Sequence, residues 1–137
     1  MKDLLKEKGL KATPARLAIL DIFAKSKVPL SAEKIFLDLK RKKENKNINE
    51  ATVYRTLTHF EEVGILAKVD LRKESAFFEL AKEHHHHIAC LKCDAVEDFE
   101  SSEVEKVLGR IARNSSKFIN IKEHSLELFG LCKACYK

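Results

Sequence analysis

Apolar positions in the first half of the chain come in blocks at helical spacing, each opened by a residue suited to cap a helix. Residues 2–8 read as a short basic helix closed by Gly9. Thr13-Pro14 then supplies an N-cap and a first-turn proline, and Leu17, Ile19, Leu20, Ile22 and Phe23 give the second helix its apolar face. Pro29 ends what precedes it. Ser31 opens a third helix carrying Ile35, Leu37 and Leu39, and the run Lys40-Arg41-Lys42-Lys43 at its C-terminal end suits the helix dipole. The Asn-rich residues 44–48 read as a loop. Asn49 caps a fourth helix over 50–63, which Gly64 stops; Val53, Leu57 and Phe60 form its buried face, while Thr52, Tyr54, Arg55 and Thr58 point elsewhere.

Beyond Gly64 the period changes. Residues 65–71 and 75–80 alternate or run apolar around the basic tip Leu71-Arg72-Lys73-Glu74, which predicts a hairpin. Three helices followed by a hairpin make a winged helix, in which the last helix enters the major groove and the wing meets the DNA backbone. Residues 88–91 and 95–100 read as strands turning at Cys93-Asp94. Ser101-Ser102-Glu103 starts a helix to about Asn114 with Val104, Val107, Leu108 and Ile111 apolar, and 118–121 and 125–129 read as strands, or one strand bent near His124. The expected fold class is α+β: a winged helix-turn-helix domain over 1–80, a hinge over 81–86, and a small α/β dimerisation and metal-binding domain over 87–137. The last part is too short to bury a large core alone, so a metal and a dimer partner are expected to supply what it lacks.

Charge sharpens this division. The net charge of +5 comes entirely from residues 1–80, which hold 17 Lys/Arg against 12 Asp/Glu; residues 81–137 hold 9 of each. A polyanion-binding half beside a neutral metal-binding half is the simplest interpretation. No apolar run approaches the roughly eighteen residues of a membrane span, and the first residues lack the apolar core and cleavage site of a signal peptide. A cytoplasmic location, with no membrane partner, is expected.

The chemistry concentrates in His84-His85-His86-His87-Ile88-Ala89-Cys90-Leu91-Lys92-Cys93, which holds four of the six histidines and two of the four cysteines. Cys132 and Cys135 repeat the C-x-x-C spacing. Two such pairs make a tetrahedral thiolate site of the kind structural zinc prefers, and a reducing compartment disfavours the disulfide alternative.

Four segments together resemble the ferric uptake regulator family of bacterial metal-dependent repressors: Thr13-Pro14-Ala15-Arg16, Ala51-Thr52-Val53-Tyr54-Arg55-Thr56-Leu57, the block His85-x-His87-x-x-Cys90-x-x-Cys93, and Gly130-Leu131-Cys132-Lys133-Ala134-Cys135. They span nearly the whole chain in the family's order. The resemblance implies a homodimer with an N-terminal winged helix, a C-terminal dimerisation domain and metal-gated binding of double-stranded operator DNA. It implies structural zinc on Cys90, Cys93, Cys132 and Cys135, and a sensing site on Glu79, His85 and His87, with Asp98 as a further candidate beside the equally near Glu97 and Glu100. His85 and His87 share one face of an extended segment, and a carboxylate six residues earlier can complete a nitrogen/oxygen site. Such donors accept Fe(II), Zn(II), Mn(II) or Co(II), and the sequence leaves the sensed ion open. His84, His86, Glu105 and His124 match a third site of some members, with solvated histidines as the alternative. Arg16, Thr52, Tyr54, Arg55, Thr58, Arg72 and Lys73 are the DNA-binding candidates.

One departure stands out. Many members place a metal-binding histidine just before the segment Ser31-Ala32-Glu33; here Pro29 occupies that position and cannot ligate. Glu33, Asp70 on the wing, or water is left to fill the place. A peroxide-sensing regulator of the same family is the alternative function. Glu79, where that branch usually has Asp, argues against it, as does the missing histidine. A zinc hydrolase with Glu79 or Glu83 as base lacks an H-E-x-x-H or comparable arrangement. No enzymatic activity and no small-molecule substrate are expected.

Overall fold

Four helices begin on side chains that accept a backbone N–H left unpaired by the first turn. Thr13 Oγ1 accepts from Arg16 N at 3.3 Å to open α2 (Pro14–Lys25). Ser31 Oγ accepts from Lys34 N at 3.2 Å to open α3 (Ala32–Lys40). Asn49 Oδ1 accepts from Thr52 N at 2.8 Å to open α4 (Glu50–Glu62), and Ser101 Oγ accepts from Val104 N at 3.3 Å to open α5 (Ser102–Asn114). A short α1 (Lys2–Glu7) precedes them and buries Leu5. Gly64 ends α4 at a φ of +81°, a conformation that would strain any residue with a Cβ.

The computed structural model describes residues 1–82 and 84–136 and divides into two units, Met1–Ala81 and Lys82–Lys137. Glu83, in the expected hinge, lies outside the described residues. In the first unit Ile19, Leu20 and Phe23 from α2, Ile35 and Leu39 from α3, and Val53, Leu57 and Phe60 from α4 form one buried core. At about 25 cal/mol per Å² of apolar surface, the burial of such side chains carries this unit. A three-stranded antiparallel sheet, ordered β1-β3-β2, closes it: β1 (Leu30–Ser31), β2 (Leu66–Val69) and β3 (Phe77–Leu80). This is a winged helix-turn-helix. Pattern reading missed β1, whose two residues are too few to show a period. Leu37, expected on the apolar face of α3, is 55% exposed, because the core side of that helix is already set by Ala32, Ile35 and Leu39.

The second unit is an α/β layer. In its sheet, ordered β5-β4-β6, β4 (His86–Cys90) pairs antiparallel with β5 (Val96–Phe99) and parallel with β6 (Glu127–Gly130), with α5 in the connection between β5 and β6. The strand expected at 118–121 is absent: those residues make no ladder, and Phe118 and Ile119 are 72% and 93% exposed. A strand needs a hydrogen-bonding neighbour, which a single chain does not supply there. α5 has no buried residue, and Val107 and Ile111 are left exposed on it. Among the described residues no helix is long and apolar enough to cross a membrane.

Candidate metal centres and nucleic-acid interface

Cys90 ends β4, Cys93 follows in the turn toward β5, and Cys132 and Cys135 follow β6, so the pairing of β4 with β6 draws the two C-x-x-C pairs together. All four cysteines are free thiols. Cys93 Sγ and Cys132 Sγ lie 3.7 Å apart. Sulfurs about 2.3 Å from a tetrahedral zinc are separated by about 3.8 Å, so the spacing fits the ion. Cys90 Sγ accepts backbone N–H bonds from Cys132 and Lys92, each at 3.4 Å. These donors, Cys132 N first, lower its pKa to about 6. Cys93 is pulled down by the N–H of Ala95, but the neighbouring thiols of Cys132 and Cys90 outweigh that donor and leave it raised. Cys135 is pushed up to about 12, first by the Cys132 thiol and then by that of Cys93. Four crowded thiols cannot all ionise without a cation among them; one zinc would hold them as thiolates.

The histidine run splits by the two-residue period of an extended chain. His84 and His86 turn to the side that carries Glu105 of α5 and His124. His84 Nε2, His86 Nε2 and His124 Nε2 stand 3.0, 3.5 and 3.6 Å from Glu105 Oε1. Donors about 2.0–2.1 Å from a tetrahedral ion are separated by about 3.3–3.4 Å, so this set is also the right size. Nε2 of His86 and of His124 are buried with no hydrogen-bond partner among the described residues. A buried donor or acceptor left so is costly, and a metal ion is the partner this arrangement fits.

His85 and His87 turn to the other side, with Nε2 atoms 3.2 Å apart. His87 pairs with Asp98 across the β4–β5 ladder, and its Nε2 lies 3.5 Å from Asp98 Oδ1, a buried oxygen without a hydrogen bond. The other carboxylate oxygen of Asp98 takes the ammonium of Lys82. Two imidazoles and a carboxylate make an open nitrogen/oxygen donor set that matches Fe(II), Mn(II) or Zn(II). Glu79 is buried on β3 of the first unit, in register with Ala67.

The exposed face of α4 carries Tyr54, Arg55 and Thr58, with Thr52 partly exposed. Arg55 Nη2 donates to Thr52 Oγ1 at 3.4 Å, and Arg16 Nη1 donates to the carbonyl of Lys11 at 2.9 Å. On the hairpin tip Arg72 has a φ of 55°, held by its N–H donating to Asp70 Oδ1 at 2.9 Å, and Lys73 follows it. Neither Glu33, exposed on α3, nor Asp70 belongs to any metal-capable cluster among the described residues. Pro29 is buried just before β1. Sequence reasoning missed Lys82 beside Asp98, which no motif flags. It also missed Lys11 and His59, which share a cleft with Arg16 and Arg55. The spacing of His59, one turn beyond Arg55, was the available signal.

The chain is similar to known proteins along nearly its whole length. The model of the ferric uptake regulator family matches residues 7–129. A ferric uptake regulation protein of Neisseria gonorrhoeae is 41% identical over 133 residues, 96% of this chain and 90% of that protein. A peroxide-responsive repressor of Staphylococcus saprophyticus is 30% identical over 131 residues, 96% of this chain and 86% of that one. Among solved structures, the Helicobacter pylori ferric uptake regulator, described as having three functional metal binding sites, superimposes with a TM-score of 0.85 at 28% identity, covering 99% of this chain and 89% of its own.

Proposed function

The chain belongs to the ferric uptake regulator family, and from that membership we propose that it is a metal-responsive transcriptional repressor acting on operator DNA in the cytoplasm as a homodimer. The observation that carries this reading is the split of one histidine run between two donor sets, His84 and His86 beside Glu105 and His124, and His85 and His87 beside Asp98. A chain that only needed a stable fold has no use for two such donor sets on opposite sides of one extended segment. Glu79 is proposed as a further sensing ligand with His85, His87 and Asp98, with residues 81–86 as the hinge between a reading domain over 1–80 and a dimerisation domain over 87–137. The Cys90/Cys93/Cys132/Cys135 set is proposed to hold structural zinc, and the His84/His86/Glu105/His124 set a further ion. The relatives' name, ferric uptake regulation protein, supports iron(II) as the sensed ion, and the donors equally accept Zn(II) and Mn(II).

A divalent ion in the sensing site supplies positive charge and a fixed set of donor directions. His85, His87 and Asp98, gathered with Glu79, then hold the α4 helices of a dimer at one spacing, matched to two half-sites. Arg55 and Tyr54 read base edges in the major groove, Thr52, Thr58 and Arg16 position the helix, and Arg72 and Lys73 meet backbone. Donors that bind the ion more tightly in the DNA-competent arrangement gain affinity for it when DNA is bound, and by the same factor. With 41% identity to a ferric uptake regulation protein against 30% to a peroxide-responsive repressor, and with Glu at position 79, the metal-responsive reading takes precedence over peroxide sensing. The family is one of transcriptional regulators, and these residues are assigned to binding, not to turnover.

Duplexes selected from a randomised library with Mn(II)-loaded protein, then retested by mobility shift with and without chelator, test the reading. Binding that appears with metal and disappears with chelator is expected; binding indifferent to metal would overturn it.

A further inference from the structure

α4 carries Thr52, Arg55, His59 and Glu62 on one stripe, three or four residues apart. Beside that stripe runs an open cleft whose opposite wall is the segment leading into α2 together with the first turn of that helix. Lys11 and Arg16 line it from that wall, and Thr52, Arg55 and His59 from α4. Arg16 is tethered through Nη1 to the Lys11 carbonyl at 2.9 Å, and Arg55 through Nη2 to Thr52 Oγ1 at 3.4 Å. Each guanidinium is thus fixed through one nitrogen while further donors remain for a ligand. No carboxylate lines this cleft; Glu62 borders the neighbouring depression, with Tyr54, Arg55, Thr58 and His59. A concave surface offering fixed cations and hydroxyls suits a small tetrahedral anion.

We propose that this cleft seats one phosphodiester of the DNA backbone and that His59 is a phosphate-contacting residue whose protonation adds a positive charge to the seat. The inference rests on the DNA-binding reading above and adds to it a contact and a pH dependence. Arg55 faces both the cleft and the exposed face of α4, so a phosphate held here fixes the angle at which that helix lies in the groove. The charged groups that line these two depressions with His59 are Lys11 before α2, Arg16 on α2, and Arg55 and Glu62 on α4 itself. A phosphate oxygen against the ring favours its charged form, against the opposing effect of the cations Lys11, Arg16 and Arg55 that share the cleft. Protonated His59 makes a charge-assisted hydrogen bond and releases a further counterion from the DNA. Affinity therefore rises as pH falls through the histidine range.

Full-length protein saturated with Mn(II), a labelled operator duplex, and the variants His59→Gln and His59→Lys provide the test. Gln keeps a donor but never a charge, and Lys keeps a charge throughout. Metal lost to acid affects all three proteins alike and cancels in ratios of their affinities. The wild-type to Gln affinity ratio should be near one at about pH 8 and on the order of tenfold at about pH 6. The slope of log affinity against log salt should steepen by about 0.9 per chain for wild type at the lower pH, and hold the steep value at both for Lys. A ratio that does not change with pH, with equal slopes for wild type and Gln, would overturn the role of His59 and leave the DNA-binding reading intact. If none of the three bound any duplex at either pH, that reading would fall and this inference with it.

Discussion

Asp70 Oδ1 accepts the backbone N–H of Arg72 at 2.9 Å, and Arg72 sits at a φ of 55°, the one non-glycine residue with positive φ among those described. A side-chain carboxylate that holds its own turn two residues on is the usual way to stabilise such a conformation. The carboxylate that the sequence offered as a replacement metal ligand shapes the wing tip through this oxygen. Arg72→Gly should relieve about 1 kcal/mol of left-handed strain while adding a similar amount of freedom to the unfolded chain, leaving stability nearly unchanged. DNA affinity should fall for all sequences alike, with a salt slope smaller by about 0.9 per chain. Asp70→Ala should lower DNA affinity with no change in Mn(II) affinity by calorimetry; a weakened metal site in that variant would return Asp70 to the ligand set.

Arg55 is the next test, because its reach from α4 separates base reading from backbone attraction. Arg55→Ala should cost about 1–3 kcal/mol of operator affinity and relax preference at one position of each half-site. A variant that selected the same sequences with undiminished affinity would show that another element lies in the groove.

The helices were legible because their signals are local. Thr13, Ser31, Asn49 and Ser101 each cap the helix that their sequence context announces, and the alternation of histidines needs only the period of an extended chain. What escaped was long-range or unpatterned. β1 exists only because β3 pairs with Leu30 and Ser31. Lys82 finds Asp98 across 16 positions with no motif to mark it. The expected strand at 118–121 failed because the apolar content of that segment does not provide it with a hydrogen-bonding neighbour.

The thiol cluster predicts its own dependence on metal. Cys90→Ser or Cys132→Ser removes one of four donors whose mutual spacing fits zinc. Both variants should lose tightly held zinc and melt at lower temperature in the second unit, whose paired strands β4 and β6 end beside these residues. Zinc requires all four as thiolates, so affinity falls as pH falls, with Cys135, raised to about 12, yielding its proton least readily and Cys90, lowered to about 6, most readily. An unchanged melting curve after chelation of the wild type would show that the cluster is not structural.

The exposed apolar residues of the second unit bear on assembly. Val107 and Ile111 on α5 and Leu128 on β6 are 44%, 56% and 43% exposed, and a unit of this size gains from covering them. Val107→Glu with Ile111→Glu should shift the protein from dimer to monomer in sedimentation. It should reduce operator affinity, since two half-sites then bind independently. A doubly substituted protein that stayed dimeric would move the interface elsewhere.

The histidine run gives the most discriminating prediction, because neighbouring residues are assigned to different ions. His84 and His86 lie within 3.5 Å of Glu105 Oε1, while His85 and His87 face each other at 3.2 Å beside Asp98. Alanine at 85 or 87 removes an imidazole from the proposed sensing set and leaves the Glu105 set complete. Both variants should keep their cysteine-bound zinc and remain dimeric, yet lose metal-stimulated operator binding. His84→Ala should have a smaller effect on operator binding, because its ring is half exposed and belongs to the other set. His86→Ala should destabilise the fold more than His84→Ala, since its ring is 2% exposed and its removal leaves a cavity under β4. Titrating metal into each variant while following operator anisotropy, with melting curves in parallel, separates the two sets. Equal loss of metal response at positions 84, 85 and 87, or no loss at any of them, would refute the division of the run between two ions.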